Sequence, residues 1–342
     1  MSTLDPRKQT ILRAVVLEYV AGAEPVGSEL LASRYGLGVK SATVRSELAE
    51  LADLGFLEQP HTSAGRIPSD AGYRYFVDEL VVLRPIDDEA KQSLRDASQS
   101  GDALQSLLRD TARALSRFTQ LLVVATTLRD AGVGVRRVVV SALGPTQALL
   151  VLILNNGAVE NRMLECPPGL TLEQVAHINE SVNRAVAGKP LRTLRRLKTP
   201  ATSGVTSEDR FAQNVCSALR ALARELTKGV AVSEGEQFMI AQPEFQRDLS
   251  ALKEVLRVVE DADALGDVAP ADGVNVVTIG KENQQEALYP VSIVRDSFFV
   301  GESEAGFIAV VGPTRMRYEM SIPLVTQTAR ALSESLTRHF GR

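Results

Sequence analysis

Three breaks in the first 55 residues limit what this chain can fold into. They fall at "AGAEP" (21–25), at "YGLGVK" (35–40) and at Gly55, and the segments between them have helical periodicity. Over residues 6–21, Pro6 suits a first helical turn, and Ile11, Val15 and Tyr19 recur every fourth residue. Residues 27–34 make a second, short helix with Leu30 and Leu31 turned inward. Ser41 stands where an N-cap would open a third helix running to about Leu54, with Gly55 at its C′ position. In that helix Val44, Leu48 and Leu51 share one face. Ala42, Arg45, Ser46 and Ala49 lie around the other.

"FLEQPHTSAGRIP" then reads as strand, loop and strand, with the Ser-Ala-Gly stretch as the turn signal. A short helix, a tight turn and a second helix with a small, polar N-terminus is the unit that enters a DNA major groove, N-terminal residues foremost. Lys40, Ser41, Ala42, Thr43, Arg45 and Ser46 are the residues such a helix would present. His61, Thr62, Ser63, Gly65 and Arg66 would form a wing against the backbone or minor groove. An ordinary helical hairpin has the same helix order, and a surface histidine such as His61 needs no role. Charge cuts both ways. Residues 34–46 carry Arg34, Lys40 and Arg45 with no acid, and no acid lies between Glu58 and Asp70. Yet residues 1–80 hold 8 Lys/Arg against 11 Asp/Glu, net −3. A DNA binder must then turn acids such as Glu18, Glu24, Asp78 and Glu79 away from the reading face. Asp70 opens a further helix to about Leu83, with Tyr73, Phe76, Val77 and Leu80 inward; the Tyr73/Phe76 stripe reads as packing onto the next domain.

Beyond Pro85 and "DDE" (87–89), residues 89–130 read as mostly helical. "VRRVVVSALGPTQALLVLIL" (135–154) reads as two strands about Gly144-Pro145-Thr146. "GFIAVVGPTRMRYEMSIPL" (306–324) repeats that scheme about Gly312-Pro313-Thr314, as if both were hairpins of one sheet. Helices at 171–187, 207–228 and about 246–261, and a basic stretch at 189–204, lie between them. "DADALGDVAPADG" (261–273) is linker-like, strand texture resumes at 274–280, and a C-terminal helix covers 325–340. The result is an α+β chain whose mixed sheet domain is interrupted by a mostly helical insertion.

Enzyme signals are poor. His61, His177 and His339 are far apart, and Cys166 and Cys216 lack the spacing of a zinc site. No Walker A, dinucleotide or Gly-x-Ser-x-Gly motif occurs, so neither catalysis nor a cofactor or metal is expected. Two cysteines, no apolar leader and no apolar run near 20 residues point to a cytoplasmic protein off the membrane.

"GVKSATVRSELAELADLGFLEQPHTSAGRIPSDAGYRYFVDEL" (38–80), with "QPEF" (242–245) and "VVGPTRMRY" (310–318), resembles the heat-inducible transcription repressor HrcA family along essentially the whole chain. The turn Gly38-Val39-Lys40 departs from the more polar, often proline-containing turn expected there. The resemblance implies a winged helix-turn-helix over 1–83 and a GAF-like domain in two parts, 84–155 and 268–342. It also implies a dimerisation insertion over 156–267. By the same resemblance, a homodimer binds an inverted-repeat operator upstream of chaperonin and DnaK-type chaperone operons, and a GroEL-class chaperonin brings the repressor to its active form. Two other classes remain open: a small-molecule sensor with the GAF-like domain as input, and a winged-helix adaptor between proteins.

Overall fold

A computed structural model describes residues 4–61, 64–99, 104–127, 133–199, 206–227, 231–260 and 276–340. The chain divides into two compact units, one of residues 1–127 with 231–342, the other of residues 128–230.

The first unit begins with α1 (Pro6–Gly22), α2 (Ser28–Arg34) and α3 (Ser41–Asp53). The Asp5 carboxylate caps α1 by accepting from the Arg7 and Lys8 amides. Ile11, Leu12, Val15 and Val16 of α1, Leu31 of α2, and Val44, Leu48 and Leu51 of α3 form a buried cluster of faces. Leu30, expected inside, is 40% exposed. The strands β1 (Leu57–Glu58) and β2 (Ile67–Pro68) pair antiparallel, Leu57 with Pro68 and Glu58 with Ile67. A third partner escaped the sequence reading. Val26, between α1 and α2, exchanges both backbone hydrogen bonds with Arg66 at 2.9 Å, which ties the hairpin to the helices. Next come α4 (Asp70–Tyr75), capped by Ser69, and a single π-helical stretch over 76–80. Tyr73, Tyr75 and Phe76 are buried, with Tyr75 edge-on to Phe56 at 5.3 Å.

The body of this unit is a five-stranded antiparallel sheet. Its strands are β3 (Leu122–Thr127), β7 (Ala231–Glu234), β8 (Val276–Ile279), β9 (Val291–Val300) and β10 (Ser303–Pro313), in the order β7-β3-β10-β9-β8. One side packs on α6 (Leu104–Thr119) and α12 (Tyr318–Phe340), and α5 (Asp88–Ala97) packs on those two helices. On the other, Leu122, Val124, Val291, Ile293, Phe307 and Val311 pack with residues of α9 (Glu236–Ile240), α10 (Pro243–Arg247) and α11 (Leu249–Glu260).

The second unit holds β4 (Val135–Ala142), β5 (Gln147–Leu154) and β6 (Val159–Glu165) in that order, with α7 (Leu172–Val186), a 3₁₀ turn over 191–196 and α8 (Thr206–Leu226). Val138, Leu150, Leu152, Val182, Phe211 and Leu219 are among its core residues. The outer edge of β4 is closed by two asparagines of α7. Asn183 Oδ1 accepts from the Val138 amide at 2.8 Å and donates back through Nδ2 to the Val138 carbonyl, while Asn179 Oδ1 accepts from the Val140 amide at 3.1 Å.

Several expectations are corrected. The two Gly-Pro-Thr segments are not hairpins of one sheet: 135–154 pairs with β6 in the second unit, whereas β10 pairs with β3 and β9 in the first. The inserted unit therefore runs over 128–230, not 156–267. Residues 135–155 belong to it, and 231–260 return to the first unit. Pro313 ends β10, and the following residues enter α12 instead of a second strand. Pro323 inside that helix lacks the N–H that would bond the Glu319 carbonyl, and the Arg84 amide donates to that carbonyl instead, at 2.9 Å. Residues 122–127, read as helical, form β3 with every side chain buried. In the basic stretch Leu191 and Leu194 are buried and Arg195 donates to Thr227 Oγ1 at 2.8 Å, while Arg192, Arg196 and Lys198 are exposed. The linker-like 261–273 lies outside the described residues.

Candidate nucleic-acid interface

The candidate site is built from the N-terminal turns of α3, the hairpin, and the start of α2. Burying Val44, Leu48 and Leu51 leaves Ala42, Thr43, Arg45 and Ser46 on the opposite, exposed face, with Lys40 exposed before them. Lys40, not Ser41, holds the N-cap position, in extended backbone (φ −75°, ψ 155°) and without a side-chain cap. Ser41 is the first helical residue, half-buried, with its hydroxyl 3.5 Å from that of Ser28. The first turn of α3 holds no acid.

The hairpin differs from the sequence reading in one respect. Gly65 and Arg66 are not at its tip. A β-carbon on Gly65 would lie 2.4 Å from the Val26 carbonyl oxygen, so glycine is required by backbone contact inside the fold. Arg66 begins the return strand, and its Nε is buried without a hydrogen-bond partner. His61 is exposed near the tip, where its carbonyl accepts from the Ala64 amide at 2.9 Å. Thr62 and Ser63 lie outside the described residues. A pocket of about 350 Å³ opens where Ser28, Arg45, Gln59 and Arg66 meet, bringing together two cations and no acid. Sequence reasoning missed Val26, Ser28 and Gln59; the "AGAEP" break at 21–25, which ends just before Val26, was the one hint.

The electrostatics follow from which cations have partners. Lys8 meets Asp5, Glu47 and Glu50 at 2.8–3.1 Å, and these contacts raise its pKa. Arg7 lies 3.6 Å from Glu47. Arg34 and the Tyr35 hydroxyl both donate to Glu18; the Arg34 hydrogen bond holds the Glu18 carboxyl below its usual range, while burial, then Glu18, pushes Tyr35 up to about 12. Arg74 is taken by Asp78 and Glu282. Among the described residues no ion pair engages Lys40, Arg45 or Arg66, nor Arg13 on α1. Asp5, Glu18, Glu47, Glu50 and Asp78 pair with Arg7, Lys8, Arg34 or Arg74, which leaves Lys40 and Arg45 among the cations outside any ion pair in the described residues.

The family model described as HrcA protein C terminal domain matches residues 105–322. A curated relative from Symbiobacterium thermophilum is 37% identical over 339 residues, covering 97% of this chain and 98% of its own. One from Moorella thermoacetica is 34% identical over 345 residues, with 97% and 98% covered. Both are named heat-inducible transcription repressor HrcA, which defines a class, the transcription repressors. Among these, the chain belongs to the HrcA family. A crystallised hypothetical protein shares the fold across 98% of this chain and 99% of its own, at 20% identity and a TM-score of 0.61. Among the described residues no helix is long and apolar enough to cross a membrane.

Proposed function

We propose that this chain is a sequence-specific DNA-binding repressor of bacterial heat-shock chaperone operons, working as a homodimer in the cytoplasm. Residues 1–83 act as a winged helix-turn-helix. Lys40, Ser41, Ala42, Thr43, Arg45 and Ser46 enter the major groove, where small side chains let the helix approach the base edges. The observation that carries this is the exposed N-terminal face of α3, on which Lys40 and Arg45, beside Ala42, Thr43 and Ser46, have no ion pair among the described residues. The pocket between Arg45 and Arg66 suits a backbone phosphate, which would give the buried Arg66 Nε an acceptor. His61, Thr62 and Ser63 flank it on the wing. Gly65 serves the wing's shape.

The five-stranded sheet with its helices acts as a GAF-like scaffold. Phe245, Leu252 and Val255 cover one face of it, which supports scaffold over sensor. The inserted unit pairs two chains. The outward side of its sheet carries Val159 and Met163, both 55% exposed, with Met163 beside Leu149 and Val159 beside Ile153. A solvated sheet face is ordinarily polar. A self-complementary face on a two-fold axis matches an inverted repeat. A GroEL-class chaperonin then sets the active fraction, and heat lowers it by diverting the chaperonin to unfolded chains.

Mobility-shift titration tests the reading with an inverted-repeat promoter fragment and a scrambled one, after mild heating, with and without chaperonin and ATP. Preferential retardation of the repeat, restored by chaperonin beyond what dilution restores, is expected. Equal binding of both fragments contradicts it. A response to protein-free metabolite extract, with none to chaperonin, returns the sensor reading.

A further inference from the structure

The segment "SDAGYRYF" (69–76) joins the hairpin to the sheet body: Ser69 donates to the Gly55 carbonyl at 2.6 Å, while Asp70 and Arg74 reach the body. Arg74 makes a bidentate pair with Glu282, Nε to Oε1 at 2.8 Å and Nη2 to Oε2 at 2.5 Å. It also donates to the Val277 carbonyl at 2.5 Å and to Asp78 at 3.1 Å. Asp70 accepts from the Lys281 amide at 3.0 Å. A β-carbon on Gly280 (φ +53°) would lie 2.3 Å from that carboxylate, so the approach requires glycine.

A second arginine reaches the other way, from the body to the head. Arg315 is bidentate to Glu244, at 2.5 and 3.1 Å. It also donates to Gln242 Oε1 at 2.9 Å and to the Val20 carbonyl, in the last turn of α1, at 3.4 Å. The buried Tyr73 and Tyr318 rings lie 6.1 Å apart, and the Tyr318 hydroxyl contacts Ser292 at 2.7 Å and donates to Thr314 at 2.6 Å. The head is therefore gripped at the end of α1, along α4, and at Arg84 on α12. The bidentate Arg74–Glu282 pair spans head and body and fixes direction as well as distance, which a lysine does not; the Arg315–Glu244 pair lies within the body and holds Arg315 against the Val20 carbonyl.

We propose that Arg74 and Arg315 are positioning residues for operator recognition. They hold the angle between reading head and body, so that a dimer presents its two α3 helices at one half-site spacing. Neither touches DNA. The inference rests on the DNA-reading dimer proposed above and adds what sets its spacing specificity. In a two-headed binder the second contact is intramolecular, and its strength depends on whether the link holds the second head where the second site lies. A rigid joint concentrates that strength at one spacing; a loosened one spreads it over several.

The test uses full-length protein with Arg74→Lys, Arg315→Lys, the pair combined, and Glu282→Gln as a second way of loosening the first clamp. Each is titrated against an isolated half-site and against inverted repeats whose spacer is changed one base pair at a time. Half-site affinity should stay within about twofold of wild type. Affinity for the best spacer should fall about tenfold in the double variant, and the profile over spacers should flatten. An unchanged profile overturns the proposal. So does an equal loss on half-site and full site, which marks a merely structural role. Wild-type protein without preference for any inverted repeat overturns the repressor reading instead, and the clamp's purpose with it.

Discussion

Arginine does opposite work in two regions of this molecule. On α3 and the hairpin, Arg45 and Arg66 line a pocket with no anion, and Arg66 Nε is buried without an acceptor. At the joint, Arg74 and Arg315 meet several acceptors each, carboxylates and backbone carbonyls together. The residue type is the same, and Arg66 and Arg74 are near neighbours in sequence. A cation whose hydrogen bonds are filled inside the protein organises structure; one left unfilled is available to something else. A region of net charge −3 can still hold a locally positive spot, since Arg45 and Arg66 lie side by side in a pocket lined by no acid.

The largest effect should follow emptying a filled site. Arg74→Ala strands Glu282 and the Val277 carbonyl and should cost about 2–4 kcal/mol of stability by thermal or denaturant unfolding. Arg45→Ala should leave stability within about 0.5 kcal/mol. If the two unfold alike, the contrast between the regions is broken.

On the reading face, Arg45→Ala and Thr43→Ala should each reduce discrimination between operator and random DNA by about 1–3 kcal/mol, a factor of roughly 10 to 100, measured by competition titration. A uniform loss on all DNA would limit these residues to positioning the helix. Arg66→Ala should weaken operator and random DNA by a similar factor, and the log–log salt slope should shrink by about one unit, as expected for one lost phosphate contact. An unchanged slope removes Arg66 from the interface. Met163→Asp on the outward sheet face of the inserted unit should shift the protein from dimer toward monomer in sedimentation, with the head's fold intact by circular dichroism; an undisturbed dimer places the interface elsewhere.

The smallest effect belongs to an exposed filled pair. Glu18→Gln should cost less than about 1 kcal/mol at pH 7, because Arg34 is solvent-exposed. The folded-state pKa of Glu18 is depressed, so its contribution is present above the ordinary carboxylate pKa of about 4.3 and is lost as pH falls through the folded value. The difference between wild type and variant should therefore vanish in acid. A difference that persists there would show that the charge is not what stabilises.

Periodicity made the helices legible. Val44, Leu48 and Leu51 repeat on one face of α3, so the exposed face followed, and with it most of the candidate site. Turn chemistry located the hairpin but gave the wrong reason for Gly65, because the clash it avoids is with Val26, far off in sequence. Strand alternation marks a strand without naming its partners, so two similar Gly-Pro-Thr segments were assigned to one sheet when they belong to two. Residues after Gly312-Pro313-Thr314 read as a strand, not a helix, because the Arg84 amide that satisfies the carbonyl freed by Pro323 lies far away in the chain. The joint was hidden for the same reason: Arg74 and Glu282 are 208 residues apart.

The most direct measurement is the ratio of operator to scrambled-DNA affinity at one fixed salt concentration, for wild type and for Arg45→Ala side by side. The account predicts a strong preference in the wild type, lowered about 10- to 100-fold in the variant while both remain equally folded. A wild-type ratio near one, or a ratio that Arg45→Ala leaves unchanged, contradicts the claim that the unpaired face of α3 reads DNA.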